Sequence, residues 1–240
     1  MAVASYTLQT IQDRIHVLVE NDPNTPASTD DEWAVRYQLI RQAVNNWESE
    51  DVNWNELWSR YTMTASVTAG QTSYSLLTEL PDFNQVGSFV KFITPGTNSY
   101  SYVEVVNPAD MTKYQDNSIK VFFTGDTGNG YTLNLGWTPV AGDAFVGSQI
   151  SFMYYKSASN PASVADTTWS PQMSNPDYIT FWAAAQKHLM DGNTNQYSVF
   201  SGLAQENMDK MKTFNEVRPI NSDMRMDDVE LIKDNSSFGA

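Results

Sequence analysis

The sequence contains no cysteine. That excludes a disulfide framework, a zinc–thiolate or iron–sulfur centre and a cysteine nucleophile. Histidine is nearly absent too, with two residues in 240, His16 and His188. Each falls inside a predicted helix without convergent partners, so both read as surface or bundle-edge residues rather than as a metal site or triad. Positive charge is scarce: 14 Lys plus Arg stand against 28 Asp plus Glu, a net charge of -14. Wrapping a phosphate backbone needs clustered Lys and Arg to release counterions, so such a chain is a poor candidate for it. No run approaches the roughly 18 apolar residues of a membrane span. The opening MAVASYTLQTIQDR has neither a basic n-region nor a long apolar stretch, so it does not read as a secretory signal. The expectation is a soluble protein made in a reducing cytoplasm.

What is present is enough to build a core. The chain is 41% hydrophobic and has seven Trp, 12 Tyr and 11 Phe, which is not the composition of a disordered protein. Its length allows one large domain or two small ones.

The hydrophobic period divides the chain into three parts. Residues 1–62 read as helical. Leu8, Ile11, Ile15 and Leu18 recur at three- and four-residue steps and share a face. Asp22, Pro23, Asn24 and Pro26 break that pattern. Thr29 with Glu32 forms a capping box, and Asp30 and Asp31 suit the positive end of a helix dipole. A stripe of Trp33, Tyr37, Ile40, Val44 and Trp47 follows, with Arg36 and Arg41 off it. Asn53 with Glu56 reads as a further start signal, for a short helix carrying Trp54, Leu57, Trp58 and Tyr61.

Residues 63–160 lose the helical period. The runs MTASV, TSYSL, VGSFVKFI, YSYVEVV, KVFFT, YTLNL and ISFMYYK alternate with Gly, Pro and Asp turn signals and read as strands. Asn107-Pro108 opens a helical turn. The section is expected to form a small antiparallel barrel or sandwich. Residues 161–215 return to helix. Asn175 caps, Pro176 takes the first position, and Ile179, Trp182, Gln186 and Leu189 follow on one face. Asp191-Gly192-Asn193 ends that helix. A last one places Tyr197, Phe200, Ala204, Met208 and Met211 together. Residues 216–240 have no clear period and read as an extended tail. The expected class is α+β: a helical bundle from residues 1–62 and 161–215, an inserted β domain over 63–160, and the tail. Each part carries more Asp and Glu than Lys and Arg.

The chemical inventory is thin. Asp30, Asp31 and Glu32 are explained as helix-start residues, and Asp227, Asp228 and Glu230 as a solvated acidic face. No pairing of carboxylates marks a glycosidase. The run from Gly125 to Gly130 resembles half a calcium loop but lacks the third alternating ligand and the distal Glu. Asn129-Gly130 between KVFFT and YTLNL reads as a hairpin turn. No P-loop, dinucleotide fingerprint, nucleophile elbow or HExxH occurs. Asn235-Ser236-Ser237 matches the glycosylation triplet without a secretory signal to support it. Tyr100, Tyr102, Tyr154 and Tyr155 fall on predicted strands. They would line a sugar-binding sheet if exposed as a row, or pack beneath a helix or neighbouring subunit. No catalytic residue, cofactor site or metal site is assigned.

Four stretches taken together resemble the head-to-tail connector proteins of tailed bacteriophages, the adaptor or gatekeeper ring beneath the portal. They are the amphipathic opening followed by DDEWAVRYQLIRQAVNNWESE; WNELWSRYTMTASVTAGQTSYSLLTELPDFNQVGSFVKF; EVVNPADMTKY; and NPDYITFWAAAQKHLM with its partner helix and tail. The Leu-Pro-x-Asp-Phe element of that group reads Leu80-Pro81-Asp82-Phe83 here, without the spacer. The resemblance covers nearly the whole chain, rests on order and texture, and transfers no active residue. It implies a non-enzymatic virion protein at the head–tail junction, assembled in the host cytoplasm. It also implies a cyclic homo-oligomer, usually a dodecamer, that docks on the portal by its helical part and faces the next tail or nozzle protein with its β part. An extended C-terminal segment would reach along the portal. Here that assigns docking to Val217, Ile220, Met224, Met226, Val229, Leu231, Ile232 and Phe238. Acidic walls would let DNA pass without specific binding. The other readings are a stopper or tail-tube-associated protein, and a carbohydrate-binding or glycosidase-like domain.

Overall fold

The computed structural model describes residues 6–23, 31–97, 99–114, 118–126, 128–166 and 168–217. Thr29 and Asp30 of the expected capping box lie outside them, as do all the tail residues from 218 on. The fold is α+β, with helices and antiparallel sheets, and the contacts divide it into two compact units, Met1–Glu56 with Ser159–Ala240, and Leu57–Ala158.

Among the described residues the first unit holds four helices: α1 (Leu8–Glu20), α2 (Asp31–Ser49), α3 (Asp177–Met190) and α4 (Thr194–Val217). Thr7 caps α1, its hydroxyl accepting from the Thr10 amide, which meets one of the amides that a helix start leaves unpaired. Asn21 ends the helix in the left-handed region at φ 54, a conformation Asn tolerates better than most residues. Leu8, Ile11 and Ile15 are buried as their spacing predicts. α3 packs against each of the other three helices. Being covered on several sides, it buries Tyr178, Ile179, Thr180, Ala183, Ala184, Ala185 and His188. This corrects the expected face: Trp182 and Gln186 are half-buried and Leu189 is exposed. The three alanines let neighbouring helices approach closely, and periodicity weighted toward large residues overlooks them. On α4, Ala204, Met208 and Met211 are buried as expected, joined by Asn215. Asn215 is a tie within the unit: its Oδ1 accepts from the Asn55 amide and its Nδ2 donates to the Asn53 carbonyl.

The expected short helix at 54–61 is one 3-10 turn, Asn55–Leu57, followed at once by a strand. Trp54 is buried and donates its indole N–H to the Trp47 carbonyl at 2.8 Å. Trp58 and Tyr61 instead belong to β1 (Trp58–Ser66), opposite Tyr155 and Phe152. Ladder pairing with a strand ninety residues away overrides the local helical spacing.

Among the described residues the second unit contains β1 and six further strands: β2 (Ser73–Ser75), β3 (Phe83–Ile93), β4 (Tyr100–Glu104), β5 (Val121–Asp126), β6 (Gly130–Leu135) and β7 (Gln149–Lys156). All seven sequence runs are strands. They form two antiparallel sheets, ordered β1-β7-β3-β4 and β2-β6-β5, and among the described residues no barrel closes. Both sheets feed one core, in which Phe83, Val90 and Phe152 of the first meet Tyr74, Val121 and Leu133 of the second. Asn107 caps a 3-10 helix, Pro108–Lys113, its side chain accepting from the Ala109 amide.

Candidate functional site

The residues that could carry chemistry are dispersed. His16 and His188 are 7% and 6% exposed, not surface residues. His16 lies one residue beyond the apolar stripe of α1, and α3 is covered on the side that holds His188. The His188 ring stacks on Phe200 at 5.3 Å. Among the described residues, no group of three or more His, Asp or Glu is arranged to hold a metal ion. No described helix is long and apolar enough to cross a membrane.

Arg36 is also a correction. It lies three residues from Trp33 and four from Ile40, inside the stripe, and is completely buried. Its Nη2 meets Glu32 at 2.5 Å and Glu20 at 3.9 Å. Nε and Nη1 have no hydrogen-bond partner among the described residues. Glu32 is therefore more than a helix-start residue: it makes the closer of two carboxylate contacts to a buried guanidinium, while its own side chain stays 44% exposed.

The Gly125–Gly130 run is a hairpin turn. Asp126 pairs with Gly130 where β5 meets β6. The Asp126 carboxylate accepts from the Asn129 side chain and from the Asn129 and Gly128 amides, which lowers its pKa. Its oxygens serve the turn. Gly125 needs its missing side chain: φ is +115, and a Cβ there would lie 2.2 Å from the Gly130 carbonyl oxygen. A second carboxylate organises the stretch before α3. Asp166 accepts from the Ala162, Thr168 and Trp169 amides and the Thr168 hydroxyl, which holds its pKa down at about 2.

The tyrosines do not form an exposed row. Tyr154 and Tyr155 are buried. Tyr100 and Tyr102 are half-buried, and the Lys91 ammonium sits 3.7 Å from the centre of the Tyr100 ring. Elsewhere Tyr61 donates to Glu79, and burial together with that carboxylate pushes its pKa up to about 12. These are packed or paired rings, not a platform for a sugar.

The β unit also has a cleft beside β3. β4 pairs with β3 only along Phe89–Ile93. At Val105 the chain leaves the first sheet and bridges to Val121 of the second. The last bond to β3 is the Val105 amide to the Ser88 carbonyl at 2.8 Å. Beyond it, β3 from Phe83 to Gly87 pairs with β7 on one side, and among the described residues no strand pairs with the other. A cleft of about 590 Å³ opens there, with Asn84, Gln85, Ser88, Asn107, Phe123 and Tyr131 among its lining residues. Sequence reasoning did not find it, because no single run reveals where two paired strands part.

The expected docking residues stand apart from all of this. Val217 ends α4, and Ile220, Met224, Met226, Val229, Leu231, Ile232 and Phe238 lie outside the described residues.

Comparison with curated proteins gives no match. A family model described as SU10 adaptor protein does match, over residues 6–227. That span takes in all four helices and all seven strands, and with it the chain belongs to the SU10 adaptor protein family, making it a structural adaptor of the phage neck and a component of the virion.

Proposed function

We propose that the protein forms a ring that joins the portal to the tail and surrounds the path of the DNA. The family match over residues 6–227 carries this reading. The helical unit docks on the portal, and residues 216–240 are the docking segment, with Val217, Ile220, Met224, Met226, Val229, Leu231, Ile232 and Phe238 as its apolar contacts. An extended segment orders on binding, which opposes affinity by its lost conformational entropy, and repetition around a ring offsets a modest affinity per copy. The β unit faces the next tail component.

The net charge of -14 supports passage without adhesion. Acidic walls repel phosphates, whereas a basic lumen would gain affinity by counterion release and stall transit. The test is binding of the full chain, and of the chain ending at residue 215, to purified portal, followed by light scattering and electron microscopy. The expected result is a ring on the portal for the full chain and loss of binding for the shortened one. Unchanged binding without residues 216–240 refutes the docking role. A monomer beside the portal refutes the ring.

A further inference from the structure

We propose that Asn129 is a self-modification site, at which the Gly130 backbone nitrogen displaces the side-chain amide, and that the Asp126 carboxylate restrains this reaction. Asn129-Gly130 is the one Asn-Gly pair in the sequence. Its lability has a steric cause. Attack by a backbone nitrogen on the preceding Asn side chain closes a five-membered ring, and a glycine has no Cβ to obstruct the approach. Asn129 is exposed to the water that completes the reaction. The fold does not allow a bulkier neighbour to slow it. Gly130 has φ +81, and a Cβ there would lie 2.5 Å from Leu77 Cδ1 and 2.7 Å from Leu77 Cβ. The hairpin therefore requires at 130 the residue that leaves Asn129 open to attack.

The reaction exchanges ammonia for water. The Gly130 N–H loses its proton as the nitrogen bonds to Asn129 Cγ. The Cγ–Nδ2 bond breaks, and the departing nitrogen takes up that proton and leaves as ammonia. Water then opens the cyclic imide. Cleavage between the Gly130 nitrogen and Cγ gives aspartate at 129. Cleavage between that nitrogen and the Asn129 main-chain carbonyl carbon gives an isoaspartyl link, with the main chain routed through the side chain. Asp126 opposes the first step. Asn129 Nδ2 donates to Asp126 Oδ2 at 3.0 Å and to Oδ1 at 3.2 Å, and the Asn129 amide donates to Oδ1 at 2.8 Å. Ammonia leaves only if Nδ2 is released from both oxygens. Donation to a carboxylate also enriches the carboxamide in electron density and weakens it as an electrophile. The same donors hold the Asp126 carboxyl below its ordinary pKa, so at neutral pH it has no proton to offer the leaving nitrogen. Either product undoes the turn. A carboxylate at 129 cannot donate to Asp126, and two like charges then face each other. The isoaspartyl form also adds a methylene to the main chain just before Gly130 pairs with Asp126. Both weaken the join of β5 and β6, whose Val121, Leu133 and Leu135 lie in the β core. The modification is a slow, irreversible loosening of this hairpin.

The full chain is incubated at neutral pH, and residue 129 is followed by peptide mass spectrometry, with chromatography to separate aspartyl from isoaspartyl products. The parent is compared folded and in urea. Asp126→Asn keeps one oxygen to accept from the turn amides but loses the charge and the second oxygen. Asp126→Ser, whose hydroxyl also accepts from turn amides, is a second uncharged variant. Gly125→Ala strains the same hairpin and leaves Asp126 in place. Circular dichroism identifies the variants that are folded. In urea, Asn129 is expected to convert faster than any other Asn of the chain. The folded parent is expected to convert more slowly than that by roughly tenfold or more, the worth of one hydrogen bond to a charged group. A folded Asp126 variant is expected to regain roughly tenfold or more of that rate and to exceed Gly125→Ala. Conversion of the folded parent at the urea rate, or a folded Asp126 variant no faster than the parent, overturns the restraint. Gly125→Ala converting as fast as the Asp126 variants assigns the protection to the rigidity of the hairpin and overturns the role of Asp126. Asn129 that stays intact in urea overturns the site itself.

Discussion

Replacing Arg36 with methionine is expected to stabilise the protein, although it removes an ion pair. The guanidinium is completely buried, yet it faces one carboxylate at 2.5 Å and a second at 3.9 Å. Glu32 and Glu20 are 44% and 39% exposed, so water screens the attraction from their side. The pair then contributes on the scale of a surface ion pair, about 0–1 kcal/mol. Against this, Nε and Nη1 are buried donors without partners among the described residues, each costing about 1–3 kcal/mol. Methionine retains most of the apolar stem and removes both donors, and Glu32 without its partner remains solvated. The balance is a gain of about 1–2 kcal/mol, equivalent to a rise of roughly 2–8 °C in midpoint for a chain of this size. Arg36→Ala removes the stem as well and leaves a void, with an expected loss of about 1–3 kcal/mol. Glu32→Gln, which keeps a hydrogen-bond acceptor, changes stability by less than about 1 kcal/mol. Thermal unfolding of the three variants followed by far-ultraviolet circular dichroism checks the order. If Arg36→Met melts below the parent by as much as Arg36→Ala, the guanidinium is a net stabiliser and the reasoning fails.

Trp54→Phe removes the indole donor to the buried Trp47 carbonyl and is expected to lower the free energy of unfolding by about 1–3 kcal/mol, measured by urea denaturation. Gly125→Ala forces a side chain into a φ of +115 and against the Gly130 carbonyl. A loss of about 1–3 kcal/mol in the β unit is expected, whereas Gly96→Ala, at φ +73 with open space around it, loses only the backbone term of about 1 kcal/mol. The Asp166 carboxyl is depressed from 3.8 to about 2 by amide and hydroxyl donors. Its stabilising effect is therefore full above 3.8 and lost as pH falls through about 2. The difference in urea midpoint between parent and Asp166→Asn is expected to be constant near neutrality and to vanish over that acid range. In a tyrosinate absorbance titration, Tyr61→Phe is expected to remove a component near 12 and leave the more acidic components unchanged.

Each level of this protein was legible to the extent that its cause is local. The α1 and α2 stripes, the hairpin at Asn129-Gly130 and the cap at Asn107 depend on residues within a turn or two, and all appear in the fold. Misreadings arose where a residue's partner is far away in sequence. Trp58 and Tyr61 have helical spacing to Trp54, but cross-strand neighbours on β7 place them in a strand. Arg36 sits within the α2 stripe and His16 beside that of α1, and only the arrival of neighbouring helices decides that such positions are covered. α3 is enclosed on several sides, so its alanines became core and Leu189 did not.

Function divides along the same line. Composition alone excluded thiol chemistry and made a phosphate-gripping protein improbable, because those properties depend on which side chains exist at all. The order of helices and strands carried the family resemblance, since it follows from hydrophobic period. The cleft beside β3 depended on tertiary structure. It exists because β4 abandons β3 at Val105 to meet β5, a branching of the chain between two sheets that no local pattern encodes. Periodicity determines which segments are strands; the competition of long-range pairings in one shared core decides which edges are left open.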